Sequence, residues 1–161
     1  MDKGDFVCRV HVVEDRMYRI AYAQLREAQD RKDAVQEAIL KAWQSRHTLN
    51  DAEFFETWLI RILINECHKI QRARRRLVPA SAVPEQAYID SSNQELYEAI
   101  MGLNEKLRLP IILHYIEGYT TEEISSILHI PVGTVRSRLR RGREQLNNEL
   151  SQPDQLGGYE L

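Results

Sequence analysis

An all-α fold, built as two small helical domains joined by a flexible linker, is what the sequence predicts, and three observations carry that expectation. Apolar residues recur at helical spacing through most of the 161 residues, as at Val35, Ile39, Ala42 and Trp43. No proline interrupts residues 6–76, whereas Pro79 and Pro84 fall in a serine-bearing, increasingly acidic stretch that breaks helices. Helical periodicity then resumes at Gln94, and no strand pattern, internal repeat or low-complexity tract intervenes.

The elements follow in order. Residues 1–76 are expected to form a first domain of three or four helices, with Phe54, Phe55, Trp58, Leu59 and Ile62 supplying core at helical spacing rather than stacking platforms. Residues 77–93 (LVPASAVPEQAYIDSSN) are the linker, and 17 residues of extended chain reach at most about 55–60 Å. Residues 94–150 form the second domain, with Leu96, Ile100, Leu103 and Leu107 on one stripe and Ile111, Ile112, Leu113 and Tyr115 after Pro110. The tail 151–161 carries a proline, two glycines and little to bury, so it is expected to be disordered.

Composition excludes several classes of function. A hydrophobic fraction of 43% is that of a folded soluble protein, no apolar run approaches membrane-spanning length, and the acidic start MDKGDFVCRVHVVED lacks a signal-peptide core. A cytoplasmic protein is implied. Two cysteines are too few for a disulfide framework, so Cys8 and Cys67 are expected as small buried hydrophobes. Neither Cys8 with His11 nor Cys67 with His68 has zinc-finger spacing, and no metal is expected. Without a glycine-rich phosphate loop, GxSxG or HExxH, and with five histidines scattered singly, no catalytic residue, cofactor or small-molecule substrate is expected.

Charge is more informative than its sum. The net value is −2, yet Arg61, Lys69, Arg72, Arg74, Arg75 and Arg76 gather against the single acid Glu66, and a second cluster runs from Arg136 to Arg143. Two separate positive patches suit phosphate binding.

The second patch sits in a helix-turn-helix pattern. In TTEEISSILHIPVGTVRSRLRRGREQL, Thr120 and Glu123 make a capping box, a short helix runs to about His129, and Pro131 suits the first turn of the next helix. Val135, Leu139 and Leu146 then fall on an inward stripe, leaving Arg136, Ser137, Arg140, Arg141 and Arg143 outside. Guanidinium forks read guanine edges and grip phosphates; the alternative is a solvated basic face.

The stretch LNEKLRLPIILHYIEGYTTEEISSILHIPVGTVRSRLRRGREQL resembles region 4 of sigma-70 family factors, especially the extracytoplasmic-function group, where an EG–S/T–EEI–IPVGTV–SRL pattern is characteristic. DAVQEAILKAW, from Asp33 to Trp43, is similar to region 2.2, and FFETWLIRILINECHKIQRARRR to regions 2.3 and 2.4. The resemblance spans about Arg16 to Leu150 and departs from the family at Ile39, where phenylalanine is usual. It implies a promoter-recognition subunit of RNA polymerase that catalyses nothing by itself. Asp33, Gln36, Glu37 and Lys41 would contact the clamp helices of the largest subunit, and the second domain the flap of the second-largest. Thr134, Arg136, Ser137, Arg140, Arg141 and Arg143 would contact the minus-thirty-five element. Arg61, Asn65, His68, Lys69, Arg72, Arg74, Arg75 and Arg76 would contact the melted minus-ten element. Asn65, placed where the helix is expected to give way to a polar stretch, would help pocket a flipped base, or else serve as a helix C-terminal cap. The same resemblance implies an anti-sigma factor as partner, often membrane-anchored. The rival reading is a helix-turn-helix activator that works without polymerase, and it calls for a receiver or ligand-binding domain in place of Asp33 to Trp43.

Overall fold

The computed structural model describes residues 1–77 and 94–151, all helices and connecting turns with no strand among them. The linker, apart from Leu77, and the tail beyond Ser151 lie outside the described residues. Helix α1 (Lys3–Gln24) opens on Asp2, whose carboxylate accepts from the Asp5 N–H at 2.8 Å, satisfying one orphan donor of the first turn. It buries Phe6, Val10, Val13, Met17 and Ile20, spaced by three and four. Helix α2 (Ala28–Ser45) buries Ala34, Val35, Ala38 and Ala42, mostly short side chains that let α3 approach closely. After two 3₁₀ turns, Arg46–Thr48 and Ala52–Phe54, helix α3 (Phe55–Leu77) runs unbroken and buries Phe55, Leu59, Ile60, Leu63, Ile64 and Cys67. Each fully buried Leu or Ile contributes about 1.5–3 kcal/mol, and this stripe holds the N-terminal bundle together.

The C-terminal half comprises α4 (Gln94–Gly102), α5 (Glu105–Ile111), α6 (Thr121–Leu128) and α7 (Val132–Ser151). Asn104 caps α5 by accepting from the Leu107 N–H at 3.1 Å. Pro110 lies inside α5 and supplies no N–H, and the helix continues as one wide π turn, Ile112–Ile116, in which the Glu117 N–H reaches back five residues to the Ile112 carbonyl at 3.0 Å. Gly118 then takes φ 79°, a left-handed conformation costly for a residue with a Cβ, and reverses the chain into α6. Both halves of the expected capping box are formed: Glu123 N–H to Thr120 Oγ1 at 3.1 Å and Thr120 N–H to Glu123 Oε2 at 2.8 Å. His129 ends α6 at φ 55°, and α7 crosses over α6 as the second helix of a helix-turn-helix.

Several expectations are corrected. Helix α3 does not give way at Asn65; the polar run is one turn of a helix whose apolar stripe continues through Cys67. Phe54 is 59% exposed because it closes the 3₁₀ turn before α3 and so lies out of phase with the core. Cys8 is exposed on the outer side of α1, whereas Cys67 is buried and its thiol is pushed up to about 12 by desolvation. Leu96 and Tyr115 stand out in solvent while their stripe-mates Ile100, Leu103, Leu107, Ile111, Ile112 and Leu113 are buried. Pro131 immediately precedes α7 and serves it through its carbonyl, which accepts from Thr134 and Val135.

Helix α7 meets α5 at Gly142, where a Cβ would lie 2.7 Å from Ile111 Cγ1. Gly142→Val is therefore expected to destabilise the C-terminal bundle by about 1–3 kcal/mol through overpacking. Thermal denaturation checks it, and an unchanged midpoint would show that Ile111 yields freely. At the left-handed end of α6, His129→Gly is expected to raise the midpoint, by up to about 1 kcal/mol of stability, because glycine relieves the Cβ clash.

Candidate nucleic-acid interface

An unbroken α3 sets the direction of every cation along it. At 3.6 residues per turn, Arg61, Asn65, His68, Lys69, Arg72 and Arg76 share one side of the helix, away from the Leu59–Leu63–Cys67 stripe. Asn65, Lys69, Arg72 and Arg76 are exposed, Arg61 and His68 half-buried. Arg74 departs from this face. It turns toward α2 and forks onto Asp30 through Nε and Nη2, both at 2.9 Å, with Nη2 also 2.9 Å from Glu27. The hydrogen bond to Asp30 and the adjacent carboxylates hold its guanidinium above the usual arginine range.

Glu66, the lone acid of the cluster, is buried on the flank of α3 and accepts from Lys41 Nζ at 2.5 Å and Lys69 Nζ at 3.3 Å. The lysine of the expected polymerase-binding set thus also ties α2 to α3, and its ammonium is held up by that bond to Glu66. The rest of that set, Asp33, Gln36 and Glu37, is exposed on α2, with Gln29 donating to Asp33 at 2.8 Å. Sequence reasoning missed Leu40, 49% exposed in the same stripe; its position four after Gln36 was the available signal.

On α7, Val135, Leu139 and Gly142 are buried, so the outward side belongs to Ser137, Arg140 and Arg141, with Arg136 on one flank and Thr134 on the other. Arg141 donates to Ser137 Oγ at 2.9 Å, which props the guanidinium along the helix. Arg143 sits nearer the bundle and donates to the Tyr115 hydroxyl at 2.7 Å. Arg136 and Arg140 have only loose carboxylate neighbours, Glu122 at 3.8 Å and Glu144 at 4.0 Å, and both are exposed. This face can meet phosphates or base edges without first breaking a strong pair.

The two halves meet where α6 packs on α3, with one hydrophobic cluster running through both, and also through polar groups that sequence reasoning did not identify. The Glu117 carboxylate, whose side chain is 1% exposed, accepts from Arg16 Nε at 3.1 Å and from Arg19 Nε and Nη2 at 2.9 Å each. Arg16 also pairs with Glu56 and lies over the Tyr119 ring, and the Tyr119 hydroxyl donates to Glu56 at 2.8 Å. Burial first, then that bond to Glu56, raises the Tyr119 phenol above its ordinary range, while the Glu117 hydrogen bond is the largest contribution raising Arg19. Across α3, Glu105 accepts from Arg75 Nη2 at 3.1 Å and stands 3.6 Å from His68 Nε2. Burial keeps His68 below the usual histidine value, with Arg72 and Arg75 opposing protonation against the pull of Glu105. Among the described residues no cluster of His, Cys, Asp or Glu could hold a metal ion, and no helix is long and apolar enough to cross a membrane.

Comparison with known proteins accounts for both halves in this order. The sigma-70 region 2 family model matches residues 10–77 and the sigma-70 region 4 model residues 93–146. The chain is 30% identical to the ECF RNA polymerase sigma factor SigW of Bacillus subtilis, over 92% of this chain and 90% of that one. It is 33% identical to the ECF RNA polymerase sigma-E factor of Escherichia coli, over 75% of this chain and 74% of the other. Its backbone is similar to that of the sigma factor RpoE of Bartonella quintana, solved in complex with the anti-sigma factor NepR, with a TM-score of 0.76, 25% identity, and coverage of 91% and 96% of the two chains. With both regions present and the likeness to SigW running nearly end to end, the chain belongs to the extracytoplasmic-function group of sigma-70 factors, the RNA polymerase subunits that direct transcription initiation to promoters.

Proposed function

We propose that this sigma factor acts in the cytoplasm as a non-catalytic subunit, docking on core polymerase through α2 and reading two promoter elements through α3 and α7. The single observation that carries the reading is the presence, on one chain, of two arginine-bearing helix faces that leave their apolar stripes buried. On α2, Asp33, Gln36 and Glu37 form a carboxylate and amide stripe around Leu40, suited to arginine-bearing clamp helices of the largest subunit. The C-terminal bundle, residues 94–150, meets the flap of the second-largest subunit and presents Thr134, Arg136, Ser137, Arg140, Arg141 and Arg143 to the minus-thirty-five duplex. On α3, Arg72 and Arg76 follow the phosphates of the melted minus-ten strand, with Arg61, His68 and Lys69 beside them. Asn65, exposed in mid-helix, is free to donate to and accept from a base edge; its place inside α3 removes the reading of a helix cap. Arg74, committed to Asp30 and Glu27, holds α3 on α2 and leaves strand binding to its neighbours. An anti-sigma factor is proposed as regulator, as in the NepR-bound relative.

Run-off transcription with purified core polymerase on a promoter library is expected to yield one sharp pair of motifs; activity without polymerase, or none with it, sinks the reading. In the same assay, Asp33→Lys with Glu37→Lys is expected to weaken core binding while helicity is retained, since like charges would then face the clamp. Arg136→Ala or Arg141→Ala should cost about 1–3 kcal/mol on the preferred site and relax choice at one base pair. Uniform, sequence-blind losses would reduce α7 to a phosphate clamp. For the strand, Arg72→Ala should flatten the salt dependence of open-complex formation by about 0.7 in slope, and Arg74→Ala by almost nothing. Asn65→Ala should alter preference at one base of the melted element more than it alters overall affinity. An equal loss on all four bases would move base reading to another residue.

A further inference from the structure

We propose that Glu66 is a positioning residue that couples polymerase docking on α2 to strand binding on α3: its carboxylate holds Lys69 back from the strand until docking leaves Lys41 to the same oxygen. The inference rests on the docking and strand-binding roles proposed for the two helices, and its own ground is the place of one buried acid between them. The Glu66 side chain is 9% exposed, and two ammoniums converge on its Oε1, Lys41 Nζ from α2 at 2.5 Å and Lys69 Nζ from one turn further along α3 at 3.3 Å. Lys41 belongs to the outward stripe of Gln36 and Glu37, and Lys69 to the face of Asn65 and Arg72. One carboxylate therefore stands behind both surfaces.

A carboxylate kept from water needs at least one charged donor, so Glu66 can release either lysine but not both. The two ammoniums repel each other across a single oxygen, so a tighter hold on one loosens the other. The bond that gives is that of Lys69: it is the longer, and the Lys69 side chain is 56% exposed, with a phosphate as its alternative partner. Lys41 is more enclosed, and its other carboxylate neighbour among the described residues is Glu37, at a loose 4.0 Å. Arginine-bearing clamp helices set against Asp33 and Glu37 bring positive charge to the outer side of α2 and engage Glu37. Lys41 is then left to Glu66, and Lys69 turns to the strand beside Arg72, which lines a cleft of about 310 Å³ between α3 and the C-terminal bundle. The helices themselves have little freedom to carry such a signal. Ala34, Ala38 and Ala42 seat α2 closely on α3, and Arg74 clasps Asp30 and Glu27. The element with two states is one ammonium, bonded to Glu66 in the free chain and to a phosphate in the docked one.

The test is lysine acylation by acetic anhydride, read site by site by mass spectrometry on the full chain alone and at saturating core polymerase, because an ammonium bonded to a carboxylate withholds its amine from the reagent. Glu66→Gln removes the charge at nearly constant size and sets the level of an unrestrained Lys69. In the free chain, wild-type Lys69 should label at least about twofold less than in Glu66→Gln, the lower limit for members of one network, and the gap should close once core is bound. Lys41→Met makes Lys69 the remaining donor and should lower its labelling below the wild type. Loosened packing would raise labelling in both variants, so opposite signs separate positioning from damage. No gap in the free chain with melting as in the wild type, a gap that persists with core bound, or a rise in Lys41→Met overturns the coupling. The strand end is read in the holoenzyme: Lys69→Ala should flatten the salt dependence of binding to a labelled single-stranded minus-ten oligonucleotide by about 0.7 in slope. No change there, with Arg72→Ala still flattening the slope, overturns the coupling alone. No change from either variant overturns the strand reading of α3, and the coupling with it.

Discussion

A helix of 23 residues without a break leaves each side chain no choice of direction beyond its number, and the geometry of this protein follows from that constraint on α3. One side must carry Leu59, Leu63 and Cys67 into the core, so the opposite side is fixed as Arg61, Asn65, Lys69, Arg72 and Arg76. Residues two apart cannot share a face, which is why Arg72 and Arg74 are chemically alike and structurally opposed. Arg74 meets two carboxylates of α2, and Arg72 meets solvent and the cleft. The same rule places Glu66 at the edge of the core. There its charge is answered by Lys41 and Lys69 rather than by water, and truncating either partner would leave a buried carboxylate short of a donor.

The C-terminal half solves a different problem. It must offer α7 to a duplex while being carried against the N-terminal bundle, and both tasks are set by the segment between Pro110 and Thr120. Pro110 removes one helical donor, the π turn follows, and Gly118 turns the chain so that Glu117 faces α1 while Thr120 begins α6. Tyr115, exposed by the same turn, receives Arg143 and steadies the far side of α7. One irregular segment thus connects the interdomain contact to the orientation of the reading helix.

How much of this was legible depended on how far apart in sequence the cause and its effect lie. The capping box of Thr120 and Glu123, the inward stripe of α7 and the outward stripe of α2 are local, and all three were readable from spacing alone. Asn65 was misread because Asn65, Glu66, Cys67, His68 and Lys69 look like the end of a helix in composition. In phase they do not, since residues 63, 64 and 67 keep the apolar period. Phe54 was placed in the core by helical spacing and Cys8 by residue type; Phe54 is exposed because it closes the 3₁₀ turn before α3, and Cys8 because it lies opposite the buried stripe of α1. Glu117 could not be found at all by local reasoning. Its partners lie 98 and 101 residues away, and a glutamate before a glycine at a helix end is an ordinary solvated residue until a second domain is packed upon it.

The distance in sequence between Glu117 and its arginines also bears on how strong the contact has to be. Residues 78–93 tether the halves, so closure is intramolecular, at an effective concentration on the order of millimolar for a short connection. A contact that as two separate pieces would have a dissociation constant of about 0.1 mM is then closed roughly ten to one, a bias of about 1.4 kcal/mol. Three hydrogen bonds from two guanidiniums to one carboxylate, together with the Tyr119–Glu56 bond, are of the scale that supplies such a bias. A partner that binds only the open chain loses no more than that factor in apparent affinity. The bonds of Glu117 to α1 therefore add to the packing of α6 on α3, where one hydrophobic cluster runs through both halves, rather than holding the halves together alone.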